Sequence, residues 1–103
     1  MDIEQVGADA WKQWLESHDG VLLDVREPFE WQQTGVLPES KLISMGELPT
    51  SLDELSKDTP ILVVCRTGNR SQHVAGWLDS NGYNASNLAG GVVAFAKSNQ
   101  QAS

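Results

Sequence analysis

Ile61-Leu62-Val63-Val64-Cys65-Arg66-Thr67-Gly68-Asn69-Arg70-Ser71 is the stretch from which the rest of the chain can be read. An unbroken apolar run closes on the only cysteine, and four residues separate that cysteine from Arg70. A short apolar run bounded by turn residues reads as a strand buried on both faces. The residues after Arg70 have the spacing of an amphipathic helix, with Val74, Trp77 and Leu78 expected inward and Gly82 as its stop. The stretch therefore reads as strand, tight loop and helix, with a thiol delivered to the mouth of the loop.

Working outward, Val21-Leu22-Leu23-Asp24-Val25 is a second near-continuous apolar run, with Asp24 as its polar exception and Arg26 and Glu27 close behind. Ile3 to Val6, Lys41 to Ile43 and Ala85 to Leu88 are shorter strand candidates. Between them, Trp11, Trp14 and Leu15 recur at helical spacing within a helix expected over Ala8 to Ser17, with Asp9 in its first turn and Gly20 in or near its capping position. Pro28 to Gln33 begins as a helical turn, Glu47 to Leu55 is expected to be helical, and a brief helix is expected near Val92 to Lys97. Strands alternating with helices imply an α/β fold with a parallel sheet covered on both faces. In such sheets ligands gather at the carboxyl ends of the strands, so Asp24 and Arg26 are expected beside the Cys65 loop. An ordinary ion pair with their neighbours explains them equally well.

With 103 residues the chain has room for one core, expected over residues 1–97, followed by a polar tail at 98–103. No apolar run approaches the ~20 residues of a membrane span. The acidic start, Met1-Asp2-Ile3-Glu4, lacks the pattern of a secretory signal, which makes the cytoplasm the expected address. A net charge of −7 argues against nucleic acid and anionic membrane as partners. That charge is uneven: residues 1–60 hold thirteen carboxylates against four basic residues, whereas residues 61–103 hold Arg66, Arg70 and Lys97 against Asp79 alone. Two of those three positive charges lie in the cysteine loop, as an anion site would require. One cysteine and two distant histidines make a metal site improbable, and no cofactor is implied. A monomer is the default for a small charged domain without a heptad pattern.

The thiolate, not the thiol, is the useful nucleophile, and a free cysteine titrates near about 8.5. A helix N-terminus and nearby guanidinium groups both favour the charged form, so the pKa of Cys65 is expected to be depressed. A loop this tight can aim successive amide hydrogens at one point. Gly68 suits a turn needing positive φ. Arg70 at the helix entrance is expected to hold an oxyanion with both arms of its fork, with Arg66 as a second, more exposed charge. Ser71 can cap the helix or donate into the loop. The bland alternative is that Cys65 is a small buried hydrophobe; the arginines, glycine and serine attached to it weigh against that. His73 lies in the first helical turn, on a face that need not see the sulfur.

These residues carry a resemblance. Cys65-Arg66-Thr67-Gly68-Asn69-Arg70-Ser71 resembles the active-site loop of rhodanese-type sulfurtransferases. Leu22-Leu23-Asp24-Val25-Arg26-Glu27-Pro28-Phe29-Glu30-Trp31 is similar to that family's strand-and-turn signature, and Leu88-Ala89-Gly90-Gly91 to its final Gly-Gly turn. The similarity runs from about Ile3 to Phe95. It implies a three-layer sandwich, a five-stranded parallel sheet with helices on both faces. It also implies a reaction in which Cys65 takes a sulfane sulfur from a donor such as thiosulfate and gives it to cyanide or a thiol through a persulfide. The amides from Arg66 to Arg70 would cradle that persulfide, Arg66 and Arg70 would orient the anionic donor, and Asp24 and Arg26 would buttress the loop. Two stretches depart from the family pattern. Gly35-Val36-Leu37-Pro38-Glu39-Ser40 stands where Gly-His-Ile-Pro-Gly-Ala is frequent, and Val92-Val93-Ala94-Phe95 stands where tryptophan-bearing residues are.

Two rival readings remain at this level. Phosphatases and arsenate reductases of related fold resemble rhodaneses but carry a loop longer by one residue, because a tetrahedral oxyanion needs a wider nest. The short spacing here favours sulfur. The other is a protein-interaction or persulfide-relay module that docks on a partner protein; the cysteine weighs against pure scaffolding, and a relay would use the same thiol and differ only in its acceptor.

Overall fold

The computed structural model describes residues 3–94. Five strands form one wholly parallel sheet: β1 (Gln5–Val6), β2 (Val21–Asp24), β3 (Lys41–Leu42), β4 (Ile61–Val64) and β5 (Ala85–Leu88), in the spatial order β1-β5-β4-β2-β3. Strand β4 takes the centre because its four residues are apolar and none is exposed, which only a strand covered on both faces allows. The helices are α1 (Trp11–His18), α2 (Pro28–Thr34) and α3 (Asn69–Ser80), and residues 91–94 are helical.

Alternation along β4 sorts the core into two layers. Ile61, Val63 and Cys65 face α3, where they meet Val74, Ala75 and Leu78 together with Leu48 and Tyr83. Leu62 and Val64 face the other way, onto Trp11 and Trp14 of α1 and Leu88 of β5. Cys65 thus continues the strand's alternation and puts its sulfur on the α3 side. Register does the rest. Asp24 lies opposite Val64, and the Val25 amide donates to the Val64 carbonyl at 3.1 Å, so β2 and β4 end side by side.

The expected strands and most helices are present; four details differ. Helix α1 starts at Trp11, leaving Asp9 in the preceding turn. Asp19, at φ 52°, takes the left-handed exit position expected of Gly20, as a short polar side chain can. Gly20 is small for another reason: a Cβ there would lie 2.9 Å from both the Pro60 carbonyl oxygen and the Trp14 ring. The helix expected over Glu47 to Leu55 is instead two 3-10 turns, Leu48–Thr50 and Leu52–Glu54. Pro49 has no amide to donate, and the chain makes i to i−3 bonds, Ser51 to Leu48 at 2.9 Å and Leu55 to Leu52 at 3.0 Å. Leu48 is still buried, and Leu52 and Leu55 pack on the same layer. Finally, Trp77, expected inward, is 37% exposed; the buried stripe of α3 is Ser71, Val74, Ala75 and Leu78, and Trp77 lies on its flank. The expected tail at 98–103, and the expected helix beyond residue 94, lie outside the described residues.

The Gly90-Gly91 turn brings the last helix under the cysteine loop. The Val92 amide donates to the Cys65 carbonyl at 2.9 Å and the Val93 amide to the Arg66 carbonyl at 3.1 Å. Gly91 sits at φ 62°, and a Cβ there would fall 2.4 Å from the Cys65 carbonyl oxygen and 2.5 Å from that of Arg66. No side chain fits between. Gly91→Ala is therefore expected to cost about 2 kcal/mol or more. Gly46→Ala, with open space around it, should change stability by no more than about 0.5 kcal/mol. Urea unfolding of the two variants checks both values.

Candidate active site

Two pinned carbonyls orient the loop. In a peptide unit the N–H points opposite to the C=O. Fixing the Arg66 carbonyl on Val93 therefore turns the Thr67 amide inward, toward the sulfur. The Gly68 amide donates to Cys65 Sγ at 3.1 Å and the Ser71 amide at 3.3 Å, while Ser71 Oγ lies 3.2 Å from the sulfur. Gly68 makes the loop this tight with φ 102°, and a Cβ on it would lie 3.1 Å from the Gly90 nitrogen. Burial pushes the Cys65 thiol up; the Ser71 hydroxyl and the amides of Ser71, Gly68 and Thr67 more than offset it, and the pKa ends below that of an ordinary thiol.

The loop's other side chains divide by exposure. Gly68 and Ser71 are buried, whereas Arg66, Thr67 and Asn69 are exposed. Among the described residues Arg66 makes no ion pair. Arg70 differs from the sequence expectation. Its fork is already filled: Nη1 donates to Glu30 Oε1 at 2.7 Å and Nη2 to Glu30 Oε2 at 2.8 Å. Glu30 is buried in α2, and its Oε1 also accepts from the Glu27 amide at 3.1 Å. Arg70 thus ties α2 to the entrance of α3, and Arg66 is the cation left facing outward.

Asp24 and Arg26 form a two-pronged pair, both 1% exposed: Nη2 to Oδ2 is 2.8 Å and Nε to Oδ1 3.0 Å. The remaining Arg26 donors go to Thr34 Oγ1 at 2.7 Å and the Gly35 carbonyl at 2.8 Å. These bonds brace the exit of α2, and the link from this pair to the cysteine loop runs through the sheet register. His73 is exposed in a shallow apolar groove with Met45, Pro49 and Trp77, on the outer side of α3.

Beside the loop opens a cavity of about 280 Å³. Arg66, Gln33, Val36, Leu37, Val92 and Val93 are among its walls. The two stretches that depart from the rhodanese pattern therefore meet around one space, next to the exposed arginine.

This fold and loop have close counterparts. The chain matches the Rhodanese-like domain family over residues 7–98. It belongs to the rhodanese-like sulfurtransferase family. The Bacillus subtilis protein YtwF is 34% identical over 92% of this chain and 92% of its own. A sulfurtransferase of Allochromatium vinosum is 31% identical over 92% and 90%. The crystal structure of a rhodanese-like domain protein from Staphylococcus aureus superposes with a TM-score of 0.82 at 34% identity, covering 90% of this chain and 91% of that one. Relatives with other names align over less of their length: the thiosulfate sulfurtransferase GlpE of Tolumonas auensis is 39% identical over 60% of this chain and 58% of its own, and a tRNA uridine(34) hydroxylase of Pelagibacter ubique 29% over 84% and 30%.

Three residues near the site did not stand out in the sequence: Glu30, Gln5 and Asn87. Glu30 carried a usable signal, since Glu27-Pro28-Phe29-Glu30 has the spacing of a capping box. Asn87 carried a weaker one, a polar residue inside a short buried strand.

One outcome of these contacts concerns acid. The Arg70 hydrogen bonds hold the Glu30 carboxyl at about 2, down from 4.5. A depressed carboxylate stabilises the fold above its unfolded pKa, and that stability is lost as pH falls from 4.5 toward 2. Arg70→Met should flatten this acid-side decline and lower stability at neutral pH by about 1–2 kcal/mol. Denaturant titrations at several pH values read both effects.

Proposed function

We propose that the protein moves sulfane sulfur through a persulfide on Cys65, taking it from thiosulfate or a similar small sulfur anion and passing it to a thiol. The observation that carries this reading is the set of polar groups on one sulfur, two amide donors and the Ser71 hydroxyl oxygen within 3.3 Å, in a loop with four residues between Cys65 and Arg70. A nest of this size suits one sulfur; the tetrahedral oxyanion of a phosphatase or arsenate reductase needs more room.

The steps balance without an added oxidant or cofactor. The Cys65 thiolate attacks the outer sulfur of thiosulfate; the new S–S bond forms as the bond to the sulfite group breaks, and sulfite leaves with the electron pair. The loop amides stabilise the sulfur on Cys65 in both its thiolate and persulfide forms. An acceptor thiolate, or cyanide in an assay, then attacks the outer sulfur and Cys65 departs as thiolate. Arg66 meets the donor's sulfonate end, while Arg70 positions the loop through Glu30. The cavity beside Arg66 gives the organic body of a thiol a place to rest. The match to GlpE, named as a thiosulfate sulfurtransferase, supports thiosulfate as the donor. A protein thiol is a further acceptor class, since a relay would use the same persulfide. A lone free thiol suits a reducing compartment such as the cytoplasm.

Intact mass tests the cycle. Brief incubation of the reduced protein with thiosulfate should add one sulfur atom, cyanide should remove it, and Cys65→Ser should show neither change. No gain under conditions where Cys65 still alkylates would overturn the thiosulfate reading. Fast discharge to one protein and to no small thiol would make relay the main role. Arg66→Ala should raise the KM for thiosulfate about tenfold with a smaller change in kcat, as expected for a charge that mainly binds the donor.

A further inference from the structure

Behind Cys65 a line of uncharged polar side chains runs out to the surface. Ser71 Oγ lies 2.5 Å from Asn87 Oδ1. Asn87 Nδ2 donates to Gln5 Oε1 at 2.8 Å and lies 3.4 Å from the Gly68 carbonyl. Gln5 Nε2 donates in turn to Gln72 Oε1 at 2.6 Å and to the Ile3 carbonyl at 3.1 Å. Gln5 and Asn87 face the same side because they are direct partners across the β1–β5 ladder. The outer end meets a shallow groove shared with Thr67 and Asn69.

Two backbone carbonyls give this line a direction. The Ile3 carbonyl can only accept, so Gln5 must turn its nitrogen there and its oxygen toward Asn87. Asn87 then presents its nitrogen to Gln5 and to the Gly68 carbonyl, which leaves its oxygen for Ser71. A carbonyl oxygen has no hydrogen to give, so the single Ser71 hydrogen goes to Asn87 and Ser71 shows the sulfur only lone pairs. A neutral thiol can donate to those lone pairs. A thiolate cannot, and it gains the Ser71 hydrogen only if Ser71 abandons Asn87, which is 3% exposed. Leaving a buried acceptor unpaired is costly.

We propose that Asn87 and Gln5 are positioning residues that hold the Ser71 hydrogen away from Cys65 and so restrain ionisation of the thiol. The loop amides favour the thiolate while this side-chain line opposes it, and the hydroxyl is the part that must swing for the sulfur to become fully reactive. The charged groups around Cys65 are Arg66 and Arg70 of its own loop, Glu27 at the cap of α2 and Glu30 within it, both behind Arg70, and the Asp24–Arg26 pair at the end of β2. Strands β1 and β5 present only amides to it, since the neighbouring Glu4 is bonded to Trp14 and Ser86 on the opposite side of the sheet. The line therefore acts through hydrogen-bond direction, independently of net charge.

The pH profile of Cys65 alkylation by iodoacetamide tests this without any sulfur donor, so it stands or falls apart from the persulfide cycle. Asn87→Leu should move the midpoint downward by about half to one unit, because the Ser71 hydrogen is released to the sulfur. Asn87→Asp, a stronger acceptor, should move it upward. Placing Asn87→Leu on a Ser71→Ala background should abolish the downward shift. Where Asn87→Leu fails to fold, Gln5→Leu at the exposed edge decides, since an Asn87 amide freed from Gln5 can turn its nitrogen to Ser71 and again release the hydrogen. An unchanged midpoint in the folded variants, or the same downward shift without Ser71, would overturn the proposal.

Discussion

The site depends on how the carbonyls of Cys65 and Arg66 are held. A thiol that ends a fully buried strand would by default be an inert apolar group, because burial disfavours its charged form. Here the two carbonyls are drawn onto the amides of Val92 and Val93, and the peptide groups that follow turn their hydrogens toward the sulfur. The Gly90-Gly91 turn exists to allow that approach; any side chain at 91 would stand where the carbonyl oxygens are. A feature near the end of the chain thus determines the electrostatics of a residue in the middle of it.

Much of this was legible from local pattern. An apolar run ending in a cysteine, a glycine within the turn and a helix with a serine in its first turn are short-range grammar, and the parallel sheet follows from strands alternating with helices. What was not legible is long-range. Arg70 looked like a free fork for an anion, yet the carboxylate that fills it comes from forty residues earlier in the chain. Gln5 and Asn87 lie eighty-two residues apart and are brought together only by strand pairing. Single-residue surprises had local causes that pattern reading weighted wrongly: Pro49 reduced an expected helix to 3-10 turns, and Asp19 tolerated the left-handed exit assigned to Gly20.

The division of labour between the two loop arginines also comes from geometry. Both lie within reach of the sulfur by sequence, and a cluster of two cations reads as one anion site. The structure separates them, one locked across two helices and one exposed beside a cavity whose walls depart from the wider rhodanese pattern. A saturated guanidinium contributes shape and a fixed field, whereas an unsaturated one contributes binding.

The sheet's edges have a consequence of their own. Its two outermost strands are each two residues long. An incoming strand from another molecule would find only a couple of free backbone groups to pair with on either side, too few to template a continuous ladder. Burial of apolar residues is concentrated in the central strands, where no edge is presented. A domain built this way keeps its stickiest sequence, Ile61 to Val64, in the position least able to seed aggregation.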